Sequence, residues 1–516
     1  MNFEFNRPKG FIGKGDKWLP EMITDLTHYL GKLQKTQRKI EFLLPSGKLD
    51  YLATALVEFA EDIHNDLGIW RGLEAYNIKY FKTPIPFVFP QHKDMESNTF
   101  NAFRIHHFLW VLYSELNPDL VISPTHKELF RLSELVSIFL TKVFKNTPKD
   151  SGIKKFLMQP DRFVWDIKKK LLWLGQHSYM FQIICVNNLK KRDSQNTISV
   201  IDDFVCEECT PWSGLGVIDI LSELLDINKE QHKDLRSWYE RHYAYYEVLF
   251  SDNYMIKVKN LISDDVYTVG IPPEVPPFKL HIVVLGSLVP WDGIWYWSGV
   301  QYTIGKVSKT QIQELKTMFL RKASNFAYRY CNDLAQKARS SIENQYEEFV
   351  KYHGDNLAIY PDGLSMAADQ QQLYKQQYAS VPKKTMSKLM KEHNLKNPWP
   401  KVSYPPELLE DETGIGVFFD SREGQEIMQG FSDIINGMKK RGVNLTEDES
   451  ETIRGFIYSD AISPQFIMKM VGKYGDESIA EAFLMREAKQ SYYLEYLLRK
   501  YKGHFYKNRY PNLAFC

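Results

Sequence analysis

The chain has 516 residues and a formal net charge of +1; 44% of its residues are hydrophobic and 25% are charged. This length exceeds what one hydrophobic core usually organises, so we expect several domains of ordinary globular composition. The balanced charge excludes a protein that coats nucleic acid over its whole surface, because such domains carry a strong basic excess. Any contact with nucleic acid must therefore be local.

The first half of the chain has the pattern of helices. Apolar residues recur every three or four positions, as in the run Leu52, Leu56 and Phe59. We predict helices throughout this half, the last of them a long aromatic helix near His232–Phe250. Its longest uncharged stretch, Leu171 to Leu189, contains several amide side chains. Because amides are costly in hydrocarbon, this stretch indicates a buried core helix and not a membrane span.

The pattern changes between residues 263 and 306. Runs of β-branched and aromatic residues are separated there by proline pairs and by Asp292-Gly293, a dipeptide typical of hairpin turns. We predict a small β-module, either a barrel or a short antiparallel sheet. The pattern from Ser308 to His353 then predicts one long helix, and a region rich in proline and lysine predicts a linker.

The predicted fold is mainly α and multi-domain (α+β), with helical domains around a small central β-module. The predicted regions are an N-terminal helical domain (1–150), a second helical block (151–262), the β-module (263–306), a long helix and turn region (307–381), a linker (382–407) and a C-terminal helical domain with a basic-aromatic tail (408–516).

Two short patterns are candidates for catalysis or metal binding. Cys206 and Cys209 have the spacing of a zinc-binding pair, but a structural zinc needs four ligands and no second close pair is present. We therefore predict no metal and no cofactor. Arg236 and His242 fit the Arg-x₄₋₆-His pattern and resemble the helical HEPN ribonucleases through this motif. The resemblance implies an RNA-cleaving pair, although six steps along a helix set two side chains about 120° apart.

Two surfaces have the composition of binding sites. In the hairpin Trp291 to Trp297, Trp295 and Trp297 share one face of a strand while Tyr296 lies on the other, so we expect one face to be core and the other to be available to a partner. The predicted partner-binding residues are Trp291, Trp295, Tyr296 and Trp297. The C-terminal tail alternates cations, which suit phosphates, with rings, which suit bases. Its predicted nucleic-acid contacts are Arg499, Lys500, Tyr501, Lys502, Tyr506, Lys507, Arg509 and Tyr510.

Together these features favour a non-catalytic, cytoplasmic binding or scaffold protein. It would engage nucleic acid or a protein partner through the basic tail and the aromatic β-module. Five sparse cysteines fit a reducing compartment, and we expect no membrane partner. Two alternatives stay open, namely a divergent nuclease, either HEPN-like or metal-dependent, and a structural subunit of a protein assembly. The oligomeric state stays open as well.

Overall fold

A computed structural model describes residues 6–511, apart from positions 46, 89–94, 97–98, 118–119, 162, 193–195, 273–276, 380, 393–396, 400–401 and 489–491. The fold is mainly α with a β-module, as the sequence predicts. Contacts divide the chain into two compact units. Unit 1 comprises 1–316 and 487–504, and unit 2 comprises 317–486 and 505–516. The second stretch of unit 1 thus falls inside the region predicted as the C-terminal domain.

Unit 1 opens with a layer of helices. They are α1 (Leu19–Thr36), α2 (Leu49–Asn65), α3 (Ile69–Phe81), α4 (Ala102–Leu116), α5 (Lys127–Phe144), α6 (Gly152–Leu157), α7 (Val164–His177), α8 (Gln182–Arg192), α9 (Thr197–Glu207), α10 (Val217–Leu224) and α11 (Lys229–Ser237). Their core contains stacked rings, with Phe108 centred 5.1 Å from Phe59 and 6.0 Å from Trp212. Asp62 of α2 accepts the backbone N–H groups of Gly68 and Trp70, which stabilises the start of α3.

Five strands form a closed barrel after these helices. They are β1 (His242–Ser251), β2 (Met255–Asn260), β3 (Val266–Gly270), β4 (Val283–Trp291) and β5 (Ile294–Gly305). The order around the barrel is β1-β2-β3-β5-β4, and only the β3–β5 pair is parallel. Because β4 returns beside β1, the first four strands form a Greek key. Asp292 and Gly293 join β4 to β5 with positive φ angles of 55° and 79°, which is the turn that this dipeptide predicts.

The barrel begins earlier than the sequence interpretation placed it. The predicted long helix near His232–Phe250 is wrong, since α11 ends at Ser237 and β1 starts at His242. Ala244, Tyr246 and Val248 are buried at alternate positions, while Tyr243 and Glu247 are partly exposed, so the period in this stretch is two even though Tyr245 is buried as well. The β-module therefore spans 242–305, and its first two strands lie inside the predicted second helical block.

Unit 2 packs helices around a second sheet. After α12 (Lys309–Lys322), which crosses the unit boundary, come α13 (Ser324–Tyr330), α14 (Asn332–His353), β6 (Leu357–Tyr360), α15 (Gly363–Ala379), α16 (Lys383–Glu392), α17 (Pro406–Leu409), β7 (Ile415–Asp420), β8 (Gly424–Met428), α18 (Phe431–Lys439), α19 (Glu447–Tyr458), α20 (Pro464–Tyr474) and α21 (Glu477–Ala482). The antiparallel sheet has the order β6-β7-β8 and packs on Phe349, Met366 and Leu373. The last helix, α22 (Tyr493–Lys502), belongs to unit 1.

Three further predictions for the second half need correction. The long helix predicted from Ser308 to His353 is three helices, α12 to α14, which are separated at Ala323 and Cys331. The predicted linker contains α16, and the predicted C-terminal helical domain (408–516) holds strand β8 before α18. No helix in the described part of the chain is long and apolar enough to span a membrane.

Candidate functional site

One end of the barrel packs on the helices of unit 1. The Trp238 indole N–H donates a hydrogen bond of 2.8 Å to the carbonyl oxygen of Pro290, and its ring meets Trp291 edge-on at 6.2 Å. The backbone N–H of Asp292 donates to the carboxylate of Asp234 at 2.8 Å. This end is therefore covered, and a binding surface must be sought on the rest of the barrel.

A buried ion network also joins the barrel to the helices. Asp202 of α9 forms ion pairs with Lys168 of α7 and with Arg241, which directly precedes β1. The Lys168 ammonium group also donates to Ser298 Oγ at 3.0 Å and lies 3.3 Å from Cys206 Sγ. Buried ion pairs are stable when every charged and hydrogen-bonding partner is satisfied. The partners here come from α7, α9 and β5, together with Arg241. The network thus fixes where the barrel sits on α7 and α9.

The electrostatics of this network are those of a structural site. Burial alone would raise the pKa of Asp202, but the charges of Lys168 and Arg241 outweigh it and lower that pKa. Burial raises the pKa of the Cys206 thiol, so Cys206 is a neutral thiol and not a reactive thiolate. Asp202, Cys206 and Lys168 are all buried, so the network has no open position for a substrate.

The outer face of β1, β2 and β3 is the exposed side of the barrel. Strand register places Phe250, Lys257 and Thr268 in one row across the three strands. A second row continues from Met255 to Gly270 and on to Tyr296 of β5. A Cβ atom on Gly270 would lie 2.6 Å from Tyr296 Cε1, so glycine lets the tyrosine ring lie flat on the strand.

This outer face, which we call the barrel face, exposes large apolar side chains. The exposed fractions are 71% for Tyr254, 56% for Val266, 44% for Phe250 and 37% for Met255. These residues lie on β1, β2 and β3 and on the turn that joins β1 to β2. Large apolar side chains exposed together on one side of a folded protein typically mark a binding surface.

The charges around the barrel face are nearly balanced. Lys257 is exposed at the centre of the face, whereas Lys259 forms an ion pair of 2.8 Å with Asp264. His281 lies 3.1 Å from the carboxylate of Glu247 at the next row. The barrel face is therefore apolar and aromatic with one exposed central cation, and it is not a strongly basic surface.

The structure divides the residues of the predicted aromatic hairpin. Trp291 and Trp297 are buried, and Trp297 meets Tyr246 edge-on at 5.6 Å. Trp295 meets Tyr267 at 4.9 Å, so the two alternate tryptophans share the inner side as the strand period predicts. Tyr296 lies on the outer side, where it contributes to the barrel face. Trp291 and Trp297 are part of the core, Trp295 is partly exposed, and Tyr296 is the residue of this hairpin that contributes to the barrel face.

The pair that resembles the HEPN motif does not lie on one helix. Arg236 belongs to α11 and forms an ion pair of 3.2 Å with Glu223. His242 starts β1, where its ring lies 4.6 Å from that of Trp295. The two residues therefore occupy different elements and make separate contacts, which removes the helical setting on which the resemblance depends.

Cys206 and Cys209 lie on either side of the end of α9. Cys206 is buried beside Lys168, while Cys209 is partly exposed and lies close to Gly503. Among the residues that the structure describes, no group of three or more His, Cys, Asp and Glu side chains could hold a metal ion. In the described part of the chain, the geometry thus provides no further ligands that could complete a metal site with these two thiols.

The basic tail is folded and not extended in solvent. Lys502 is fully buried, Lys500 is 7% exposed, and the Arg499 guanidinium stacks 3.7 Å from the centre of the Tyr80 ring. Arg499 also bonds to Glu495 at 2.6 Å. These cations take part in the packing of unit 1, which is not the solvated position that a phosphate-binding tail requires.

The end of the tail belongs to unit 2. Arg509 forms ion pairs with Glu423 and, at 3.5 Å, with Asp420. The Tyr510 ring lies 6.3 Å from Tyr328. Tyr501 and Lys507 are partly exposed, and Tyr506 is 37% exposed. The predicted nucleic-acid residues are therefore divided between two units and do not form one described surface.

Sequence reasoning missed the residues that form the barrel face. Phe250 lies at the end of the predicted long helix, and Tyr254 and Lys257 lie in the predicted second helical block (151–262). The alternation of apolar and charged residues from Met255 to Asn260 is the signal that could have found them.

Comparison with known proteins covers only part of the chain. A family model described as "Protein of unknown function (DUF3843)" matches residues 46–192, which include α2 to α8 of unit 1. No curated protein and no solved structure matches the chain. The family match covers less than half of the chain and excludes the barrel, so any function assigned to the barrel must come from its own geometry.

Proposed function

We propose that this chain is a non-catalytic binding protein and that its barrel face docks a protein partner. The observation that carries the proposal is the set of exposed apolar and aromatic side chains that the barrel face presents, namely Phe250, Tyr254, Met255 and Val266. Aromatic residues and methionine are enriched at protein interfaces relative to the rest of a protein surface. We include a cytosolic location in this proposal, which is supported because Cys185, Cys206, Cys209 and Cys331 form no disulfide in the described part of the chain.

The charge of the barrel face favours protein over nucleic acid. Binding to nucleic acid depends on several cations that neutralise phosphates. Lys257 is exposed there, but Lys259 is paired with Asp264, and Asp252 and Asp265 lie at the adjoining turns. The buried positions of Lys500 and Lys502 argue against the tail as the phosphate-binding element. A partner with apolar side chains around one carboxylate, placed opposite Lys257, fits the charges best.

The architecture favours recognition through side chains. A closed barrel leaves no strand edge for a partner to extend, so pairing of backbone strands is not available on this sheet. Five-stranded Greek-key barrels of the oligonucleotide- and oligosaccharide-binding type use the face of strands 2 and 3 for ligands. That likeness supports the position of the site on the barrel. Because fold alone does not fix the ligand, the argument for a protein over nucleic acid comes from the charges described above.

Site-specific photo-crosslinking in cells tests this function. A benzophenone amino acid at Tyr254 should give a discrete protein adduct, whereas the same group at Ile138, which is 68% exposed on α5, should not. Phe250→Ser combined with Lys257→Glu should abolish the adduct, because losing a central aromatic contact typically costs about 2 kcal/mol or more, roughly thirtyfold in affinity. An adduct that nuclease digests, or no adduct at Tyr254, would contradict the proposal.

A further inference from the structure

A cleft of about 790 Å³ opens on unit 1, away from the barrel face. One wall is the N-terminal segment from Arg7 to Phe11, and the other is formed by α6 and α7. The volume lies within the range of sites that bind small organic ligands. The two walls come from distant parts of the sequence, so no local motif marks this cleft.

Three rings form a continuous aromatic wall in the cleft. Phe156 meets Phe11 edge-on at 5.4 Å and Trp173 edge-on at 5.9 Å. The indole N–H of Trp173 donates to the carbonyl oxygen of Asn6, which fixes the orientation of that ring. Phe11 and Phe156 are both partly exposed in the cleft. A flat ring of a ligand can therefore pack against these side chains.

The cations of the cleft form an inner and an outer pair. The inner pair is held in place, since Arg7 bonds to Glu61 at 2.8 Å and Lys170 lies 2.7 Å from Asp161. The outer pair lies at the mouth, where Lys9 is exposed and the Lys169 side chain is 70% exposed.

One acid accompanies these cations among the described residues that line the cleft. It is Asp166, whose carboxylate lies 3.6 Å from the Lys169 ammonium group. Such an exposed pair is weak, so Lys169 can leave it for a stronger anion. Lys9 and Lys169 are thus placed to bind an anionic group that enters from solvent.

We infer that this cleft binds a nucleoside phosphate. The aromatic wall suits a base, and two lysines at the mouth suit a phosphate, to which lysine binds as a mobile point charge. A phosphate is preferred over a carboxylate because it carries more charge than the single carboxylate of Asp166, with which it must compete for Lys169. This inference is independent of the barrel face, which shares no residue with the cleft.

Calorimetric titration of the full chain with adenosine monophosphate tests the inference. We expect binding that weakens about tenfold or more in the Lys9→Ala/Lys169→Ala variant, since both charge-assisted contacts to the phosphate are lost. A matched control is Lys35→Ala/Lys142→Ala, which removes two exposed lysines outside the cleft and should leave the affinity unchanged. Phe156→Leu should weaken binding severalfold, and circular dichroism of each variant verifies the fold.

Three ligands separate the contributions of ring and charge. Adenosine and inorganic phosphate, titrated alone, should each bind more weakly than adenosine monophosphate. Inorganic phosphate that binds as tightly as the nucleotide would overturn the inference, because the aromatic wall would then contribute nothing. Benzoate that binds more tightly than the nucleotide would overturn the preference for phosphate. A complete lack of nucleotide binding, or equal loss in the control variant, would overturn the site itself.

Discussion

Lys500 shows how packing changes the chemistry of a single charged residue. Its ammonium group lies 5.2 Å from the centre of the Trp110 ring and 3.2 Å from Ser114 Oγ, and the residue is 7% exposed. Burial lowers the pKa of Lys500 from 10.5 to about 8, and the negative charge of Glu115 only partly opposes this shift. The amine is therefore charged at neutral pH at a cost to stability.

This cost predicts how stability depends on pH. Below pH 8 the Lys500 amine is protonated in both the folded and the unfolded state, and the folded state bears the full penalty of the buried charge. Between pH 8 and 10.5 the folded amine loses its proton before the unfolded one, so stability rises with pH across this window. We expect Lys500→Met to be more stable than the wild type at pH 7, by up to about 3 kcal/mol, with a smaller advantage at pH 10. Urea unfolding at both pH values measures this, and a constant difference would contradict it.

The buried network around Asp202 allows a matched comparison with a half-exposed neighbour. Asp202 is 2% exposed and pairs with both Lys168 and Arg241, whereas the Asp203 side chain is 35% exposed and also pairs with Arg241. Removing Asp202 leaves two buried cations with less compensation. Asp202→Ala should therefore destabilise unit 1 by about 3–5 kcal/mol, and Asp203→Ala by about 1 kcal/mol or less. Urea unfolding of the two variants measures which loses more free energy of unfolding. Equal losses would show that the burial of Asp202 with its partners is unimportant.

At the scale of elements, the sequence predicts those with a long and regular apolar period. The Asp292-Gly293 hairpin lies where the pattern places it. So do most helices of the first half, although the stretch Leu171 to Leu189 is divided between α7 and α8 and is not one helix. The stretch from His242 to Ser251 was assigned wrongly because tyrosines on both faces hide its period of two. Whether such a stretch is helix or strand depends on its tertiary partners, here β2 and β4.

The candidate site was predicted less well than the fold. Alternation along β5 separates Tyr296 from Trp295 and Trp297, but it does not decide which face of the strand is exposed. The outward positions of Phe250 and Lys257 depend on the strand register, which residues distant in the sequence determine. For a related reason the sequence could not show that the tail is folded, since composition cannot tell a solvated lysine from one that packs on rings as Lys500 does.

Two helix glycines of unit 2 permit a test of packing between elements. A Cβ atom on Gly455 of α19 would have no neighbour within 4 Å, whereas one on Gly437 of α18 would lie 3.0 Å from Ile453 Cδ1 and 3.4 Å from Glu449 Cβ. Gly455→Ala should stabilise its helix by about 0.5–1 kcal/mol, because alanine loses less backbone entropy on folding. Gly437→Ala should gain nothing or be destabilising, because the two helices must separate. Hydrogen exchange of the α19 amides distinguishes the two outcomes.

At the scale of the whole molecule, unit 1 is completed by a segment from near the end of the chain. Helix α22 lies in unit 1 although the 170 residues from 317 to 486 belong to unit 2. Tyr496 of α22 is fully buried among Phe81, Phe87 and Trp110, with ring centres 5.0–5.5 Å apart. No local pattern predicts a contact over such a separation in sequence, which is why the tail was assigned to a C-terminal domain. Unit 1 therefore cannot complete its core until the chain has been made as far as α22.

This contact gives the last prediction, which concerns the stability of unit 1 as a whole. Tyr496→Ala should destabilise unit 1 by about 3–5 kcal/mol, because a large buried ring is replaced by a cavity. Tyr496→Phe is the matched control, since the buried Tyr496 hydroxyl has no hydrogen-bond partner among the described residues and its removal leaves the ring in place. This variant should equal or exceed the wild type, because an unsatisfied buried hydroxyl is a cost. Hydrogen exchange of the α4 amides reports on unit 1 directly. Unchanged protection in Tyr496→Ala would mean that α22 adds nothing to this core, and a loss in Tyr496→Phe would mean that the hydroxyl is satisfied.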